Sequence, residues 1–227
     1  IDGKVFATDA ARSLQKELAN NGITLKCTAD PMGQIWDGRP EMPQAPAFIH
    51  DTKYAGRTCA EKLETIRAEM KKAKADSLLL SALDEIAWTL NLRGSDVHCN
   101  PVVVSYLLIG ENEAHYFINS QKVTPEVAAH LHEAGVSLHT YQEIESYLAQ
   151  LPAENLMLEP GKTNYAVRSA IPQQCRVIEA PSPVALLKAV RNEQEVAGLR
   201  QAMQRDGVAL VKFLKWLEEA VPQGKET

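Results

Sequence analysis

The chain has 227 residues, of which 45% are hydrophobic and 23% are charged, a composition typical of a soluble globular protein with one or two domains. Its formal net charge of −5 argues against a general nucleic-acid-binding surface or an anionic-membrane surface. The four cysteines are scattered and form no CxxC pair, so we expect reduced thiols rather than a disulfide framework. The longest apolar run is far too short to span a bilayer.

The first 46 residues predict a small β-α-β unit followed by a linker. Residues 4–8 and 23–27 alternate between apolar and polar side chains, which indicates strands, and Asp9 is placed to cap the helix between them. Prolines recur between residues 30 and 46 and argue against a regular element there. Within this linker we expect Trp36 to be an anchor that packs between domains.

From residue 54 onward, helix and strand patterns alternate and predict an α/β domain with a mixed sheet. Capping boxes at Thr58-x-x-Glu61 and Thr140-x-x-Glu143 indicate two helix starts, and Pro125 stands at the first position of another helix. A hairpin is predicted around the turn at residues 110–113. The predicted strands are 77–80, 101–109, 114–119, 136–139, 156–158 and 175–178.

A long helix is predicted to begin at Asn192-x-x-Glu195 and to stop at Pro222 and Gly224. A helix with a continuous apolar stripe needs a partner surface. We therefore expect part of this stripe to be exposed, or to be buried against a second copy of the chain. Its apolar residues recur at spacings of three, four or seven: Val196, Leu199, Met203, Leu210, Leu214 and Leu217.

The stretch 81–106 combines an apolar-faced helix, a polar loop at 91–100 and a buried strand. A polar loop between two hydrophobic elements lies at an edge or mouth of a domain, where functional residues are often found. An ordinary helix-to-strand connection, in which Arg93 and Asp96 simply pair with each other, is the open alternative. The candidate site residues of this loop are Arg93, Gly94, Asp96 and Asn100.

The sequence contains no motif for a self-contained active site. It has no HExxH, P-loop, GxSxG or GxGxxG pattern. His130 and His132 are two residues apart on a predicted helix and so do not share a face. His98-Cys99 beside Asp96 lacks a further motif that would complete a metal site. We therefore predict that this chain holds no metal ion and catalyses no reaction by itself.

The stretch that begins at Ser81 carries a specific resemblance. Residues 81–102 contain S-A-L-D-E-I-A-W, N-L-R-G-S-D-V and N-P-V. They resemble, almost letter for letter, the middle domain of the three-domain cytosolic aminopeptidase P (Xaa-Pro aminopeptidase) family. Three pieces resemble the linker that precedes that domain: Ile35-Trp36, Arg39-Pro40 and Tyr54-Ala-Gly56. Three others resemble the opening helices of the family's catalytic domain: 188–193, 203–206 and 216–218.

The resemblance implies a fold and a division into regions. The fold would be a creatinase N-terminal-like α/β domain, with a mixed sheet flanked by helices and a long helix that leads into a missing pita-bread domain. The chain would then be an internal, non-catalytic piece of a larger cytoplasmic enzyme. Its regions would be the tail of a first creatinase N-terminal-like domain (1–29), a linker (30–53), the middle domain (54–183) and the opening helices of the truncated catalytic domain (184–227).

The resemblance also implies the activity of the parent protein, which would be a metallopeptidase that removes the N-terminal residue preceding proline. Its substrates would be peptides with proline at the second position. Two divalent metal ions, of which manganese is the expected kind, would be bound by the catalytic domain and would activate a bridging water. The expected contacts of this chain are the catalytic domain of the same polypeptide and a second copy in a homodimer. Neither nucleic acid nor membrane is expected.

By position in that family, the polar loop would lie at the mouth of the catalytic domain and shape substrate access. Arg93 would offer its planar guanidinium to a carboxylate or carbonyl, and Asp96 would hold Arg93 in place. Gly94 would allow a close backbone approach, and Asn100 would fix the loop through side-chain-to-backbone hydrogen bonds. The alternative is a non-catalytic protein-interaction module, because related peptidase-like folds serve that purpose in chromatin factors that have lost their metal ligands.

Overall fold

The computed structural model describes residues 1–27, 30–152 and 154–224. Every predicted strand from residue 77 onward is present, with ends shifted by a few residues. The strands are β1 (Phe48–Ile49), β2 (Ser77–Leu80), β3 (Leu92–Arg93), β4 (Ser105–Gly110), β5 (Ala114–Ile118), β6 (Val136–Thr140), β7 (Asn155–Leu158) and β8 (Arg176–Glu179).

Three helices begin where their sequence signals predicted. The side chains of Thr58 and Asn192 each complete a capping box, and Pro125 occupies the first turn of its helix. The capping box of Thr140 begins a 3-10 turn that runs into a short helix. The helices are α1 (Thr8–Ala19), α2 (Thr52–Ala55), α3 (Cys59–Lys72), α4 (Leu83–Leu90), α5 (Pro125–Glu133), α6 (Ile144–Leu148), α7 (Tyr165–Ala170), α8 (Pro183–Ala189) and α9 (Glu193–Ala220).

A six-stranded mixed sheet in the order β6-β5-β4-β2-β7-β8 forms the centre of the fold. β4 is antiparallel to both of its neighbours, β2 and β5, whereas the other neighbouring pairs are parallel. Five of the six strands therefore point the same way. The predicted hairpin is the β4–β5 pair, in which Leu107 lies opposite Tyr116.

Both faces of the sheet are covered. Leu78 and Leu80 of β2 belong to one apolar cluster, and Leu79 between them belongs to the other. The first cluster includes Leu63 and other residues of α3, and the second includes Leu148 and other residues of α6 and α7. All four residues of β2 are buried. Its three leucines give the continuous apolar run that a strand covered on both faces needs.

The helix predicted in the first 27 residues is present as α1, but the two strands predicted on either side of it are wrong. Residues 3–5 form a turn, and residues 23–27 belong to no strand. The first helix begins at Thr8 and its N-cap is Ala7, so Asp9 lies in the first turn rather than at the cap. The backbone groups of this segment bind elsewhere: Thr8 donates its N–H to Thr163 O at 2.9 Å, and Tyr165 donates to Phe6 O at 2.9 Å. The segment therefore docks on the loop before α7.

The prediction that Trp36 is an anchor packed between domains stays a prediction. Its side chain is 52% exposed, and the guanidinium of Arg39 lies 5.7 Å from the centre of its ring. Apart from a 3-10 turn at Met32–Gln34, residues 30–46 are irregular, as the prolines predicted.

Candidate functional site

The loop after α4 begins at a residue with a left-handed backbone conformation. Asn91 has φ +52° and ends α4. The next two residues form β3, which pairs antiparallel with β1, so that Phe48 lies opposite Arg93. Two residues are too few to show alternation, so this ladder could not be predicted from the sequence. The ladder ties the linker to the start of the loop.

Arg93 binds the end of its own helix. Its Nη1 donates to Ala87 O at 2.7 Å and to Leu92 O at 2.8 Å. Ala87 O lies in the last turn of α4, where it also accepts from the backbone N–H of Asn91, and the C-terminal end of a helix favours a nearby cation. Burial lowers the pKa of Arg93 from its ordinary value, and the charge of Glu195 opposes that change. The Arg93 guanidinium is thus a partly buried helix cap that keeps further N–H groups for other partners.

Asp96 does not hold Arg93 in place, and the two do not pair, so both interpretations of this residue are wrong. One oxygen of Asp96 accepts a hydrogen bond from Lys122 Nζ, and the other accepts from the backbone N–H of Val104 at 2.7 Å. The side chains of Lys122 and Asp96 are 2% and 0% exposed. The strand begins at Ser105, directly after this bound residue, rather than at residue 101. The pair closes the loop onto the 3-10 turn that contains Lys122.

Gly94 and Asn100 are held by the loop itself. A Cβ atom on Gly94 would lie 2.5 Å from Val103 Cγ2 and 3.1 Å from Val102 O, so the absence of a side chain allows the two arms of the loop to pack together. Asn100 is exposed and acts through its backbone, whose N–H donates to Val97 O at 3.1 Å. Its carbonyl accepts from the N–H of Val102 at 2.8 Å. The predicted side-chain anchoring by Asn100 is therefore replaced by backbone bonds.

A buried lysine binds the residues at which the loop begins. Lys62 is 1% exposed, and its Nζ donates to Trp88 O at 2.8 Å and to Asn91 Oδ1 at 2.6 Å. The same Nζ lies 4.5 Å from the centre of the Trp88 ring. Burial lowers the pKa of Lys62 to about 8. Lys62 is not among the predicted site residues, although its place between Cys59 and Ile66 on the apolar stripe of α3 is a signal in the sequence.

The start of α9 is fixed beside the same loop. Asn192 Nδ2 donates to Ala55 O at 2.8 Å, next to the turn at Gly56, where φ is +70°. A Cβ on Gly56 would lie 2.4 Å from Asn192 Oδ1, so this contact requires glycine. The carboxylate of Glu195 acts on the pKa values of Lys62 and Arg93 against the effect of burial. The loop, α2 and the start of α9 thus form one connected surface.

The chemistry of this surface is that of a support rather than of a reaction centre. Its charged groups serve as a helix cap, an internal ion pair and a lysine that donates to two oxygens. Its outward side carries exposed apolar residues, including Phe48, Tyr54 and Val97. An exposed apolar rim around a rigid loop can contact another protein surface or a bound peptide.

The described residues do not fit the two metal ions that the resemblance implies. Among residues 1–27, 30–152 and 154–224, no three His, Cys, Asp or Glu side chains lie where they could hold a metal ion. No reaction step through a metal is therefore derived for this chain. Within the same described part, no helix is long and apolar enough to cross a membrane.

Comparison with known proteins identifies the family. Residues 38–195 match the Creatinase/Prolidase N-terminal domain family, and the chain belongs to it. It is 34% identical to the Xaa-Pro aminopeptidase app-1 of Caenorhabditis elegans over 99% of this chain and 38% of that protein. It is also 34% identical to Aminopeptidase P2 of Arabidopsis thaliana over 97% of this chain and 36% of that protein. The chain is thus a homologue of the N-terminal part of these aminopeptidases and spans less than two-fifths of their length.

Solved structures agree with this assignment. The crystal structure of X-prolyl aminopeptidase from C. elegans, described as a cytosolic enzyme with a di-nuclear active site, superposes with a TM-score of 0.92 at 32% identity. The match covers 99% of this chain and 38% of that one. The N-terminal domain of the FACT complex subunit SPT16 from chickpea shares the fold alone, with a TM-score of 0.54 at 10% identity. The predicted fold class is confirmed.

Proposed function

We propose that this chain is a non-catalytic region of a longer, metal-dependent Xaa-Pro aminopeptidase that removes the N-terminal residue preceding proline. The observation that carries the proposal is the match to the C. elegans enzyme over 99% of the chain at a TM-score of 0.92. Its two divalent ions, with manganese as the expected metal, would be bound by residues outside the described part. The parent protein would be cytoplasmic, like the enzyme that it resembles.

The division into regions is part of the same proposal. The family match at 38–195 spans the proposed middle domain and extends a little beyond it on both sides. Residues 28, 29, 153 and 225–227 lie outside the described residues. The proposed regions are the tail of a first domain (1–29), a linker (30–53), the middle domain (54–183) and the opening helices of the catalytic domain (184–227).

The exposed apolar face of α9 favours a large contact with another protein surface. Leu199, Met203, Leu210 and Leu214 are between 50% and 61% exposed along this 28-residue helix. Full burial of each such side chain stabilises a contact by roughly 1.5–3 kcal/mol relative to full exposure. We assign this apolar face to the catalytic domain of the same polypeptide, with a second copy of the chain as the other candidate occupant.

The loop that contains Arg93 is proposed to shape substrate access at the mouth of the catalytic domain. Two carbonyls hold the guanidinium of Arg93, and its other N–H groups bind no acceptor among the described residues, which would allow them to bind a peptide carbonyl or carboxylate. In the full-length enzyme we expect Arg93→Ala to raise KM more than it lowers kcat. Arg176→Ala is the matched control, since Arg176 is exposed on the edge strand β8. Unchanged kinetics on several Xaa-Pro peptides would refute this role.

The proposed activity is tested by a hydrolysis assay with added manganese. We expect the full-length polypeptide to release arginine from Arg-Pro-Pro but not from Arg-Ala-Pro, and the 227-residue chain to cleave neither. Cleavage by the 227-residue chain would mean that it contains a catalytic site. A full-length protein that folds, binds a partner protein and never cleaves would instead be a protein-interaction module.

A further inference from the structure

A cluster of aromatic and titratable side chains lies at the β5–β6 edge of the sheet, away from the loop described above. We call His115, His139, Tyr147 and Phe117 the histidine cluster. His115 Nδ1 lies 3.0 Å from His139 Nε2, and His115 Nε2 lies 2.9 Å from the hydroxyl of Tyr147. The ring of Phe117 stacks on that of His139, with the centroids 4.9 Å apart. The cluster thus joins β5, the edge strand β6 and α6.

The two imidazoles can share only one bridging proton. In the neutral cluster, the Tyr147 hydroxyl donates to His115 Nε2, and His115 Nδ1–H donates to His139 Nε2, so each facing pair of atoms has one donor and one acceptor. Adding one proton to the pair keeps this arrangement, because one of the two facing nitrogens can still accept. Adding a second proton makes both facing nitrogens donors. Two N–H groups cannot remain 3.0 Å apart, and two like charges repel.

Carboxylates face the histidine cluster and line open cavities through which solvent protons can reach it. Glu113 Oε1 lies 3.4 Å from His115 Nε2. The negative charge of Glu143 acts to raise the pKa of His139, and that of Glu154 acts to raise the pKa of Tyr147. These three carboxylates line an open cavity of about 470 Å³ together with His139 and Tyr147. Two more carboxylates, Asp76 and Glu111, line the neighbouring cavity beside His115. Opposite charges at this distance favour the first proton on the pair.

We propose that His115 and His139 form a proton switch that accepts one added proton and releases the edge strand β6 and helix α6 when it accepts a second. His139 is the ring that would move, because β6 pairs with β5 on one side only and its Leu138 is exposed. His115 lies on the inner strand, where its side chain is 11% exposed and is held between Tyr147 and His139.

The electrostatics of His139 agree with this mechanism. Burial lowers the pKa of His139, the charge of His115 lowers it further, and Glu143 opposes both effects. A histidine whose pKa is lower in the folded state binds fewer protons there than in the unfolded chain. The stability that it contributes at neutral pH is therefore lost as the pH falls from the unfolded value of about 6.5 towards the folded one. Phe117, stacked on the same ring, adds no charge.

The test combines an NMR titration of the imidazole C–H signals with hydrogen exchange of the β6 amides. We expect both cluster rings to respond to the first proton, and the second proton to bind at a lower pH than the first. The β6 amides should exchange faster across that second step, about tenfold for each pKa unit between folded and open forms.

Two variants separate the switch from ordinary acid destabilisation. His139→Phe keeps an aromatic ring beside Phe117 and should abolish the second step in β6 exchange, whereas His132→Gln should leave it unchanged. Glu113→Gln removes the carboxylate nearest to His115 and should move the first step to lower pH. Independent titration of the two cluster rings, or acid-induced β6 exchange that persists in His139→Phe, would overturn the proposal.

Discussion

Removing the charge of Lys122 should destabilise the chain far more than removing that of a surface lysine. Lys122→Met leaves the Asp96 carboxylate buried, with the Val104 N–H as its one remaining hydrogen-bond partner among the residues that the structure describes. Breaking a buried ion pair by removing one partner costs about 3–5 kcal/mol, because the remaining charge has lost its compensation. We expect a loss of this size in the free energy of unfolding.

A double-mutant cycle in urea unfolding measures this coupling. Asp96→Asn keeps an oxygen that can accept from Val104, so the double variant Asp96→Asn/Lys122→Met should lose less than the sum of its two single variants. The control is the exposed pair Lys72–Glu69 of α3, for which Lys72→Met should cost about 0.5 kcal/mol or less. If Lys122→Met costs no more than this control, the reasoning that the pair fixes the loop is wrong.

Three further predictions follow from single contacts. The pKa of Lys62 is about 8 in the folded chain, below its value in the unfolded chain. The folded chain therefore binds fewer protons than the unfolded chain, and the free energy of unfolding should rise between pH 8 and 10. In urea unfolding, Lys62→Met should lack this rise. Gly94→Ala should lower the unfolding free energy by about 1–3 kcal/mol because the Cβ meets Val103, whereas Gly198→Ala, with open space on α9, should raise it by about 0.5–1 kcal/mol. Leu214→Ser should leave the stability of this chain within about 0.5 kcal/mol but destabilise the full-length enzyme by more, as thermal unfolding of both would measure.

The elements that the sequence predicted correctly are those with local signals. A capping box such as Thr58-x-x-Glu61 needs only four residues, and the hairpin at 105–118 needs only two apolar runs and a turn. The β1–β3 ladder and the docking of the first residues depend on partners more than 40 and 150 residues away, respectively. No local pattern encodes such partners, so these features could not be predicted.

The same distinction applies to the candidate site. The sequence located the loop and the element on each side of it, because helix, polar segment and strand differ in pattern. It did not identify the partners of the charged residues: Asp96 binds a lysine 26 residues further along, and Arg93 binds carbonyls rather than a carboxylate. A charged side chain in a loop has many possible partners, and only the packed structure selects among them.

The position of β2 in the sheet has a consequence for the order of folding. β2 pairs with β4 on one side and with β7 on the other, and its partner Leu156 in β7 is 79 residues away from Ser77. The β4–β5 hairpin closes over a few residues, so it pays little loop entropy, whereas the β2–β7 pair must close a long loop. We therefore expect β6, β5, β4 and β2 to assemble as a half-sheet during synthesis. The edge of β2 that pairs with β7 would then stay unpaired, and able to pair with non-native strands, until residues 155–158 leave the ribosome.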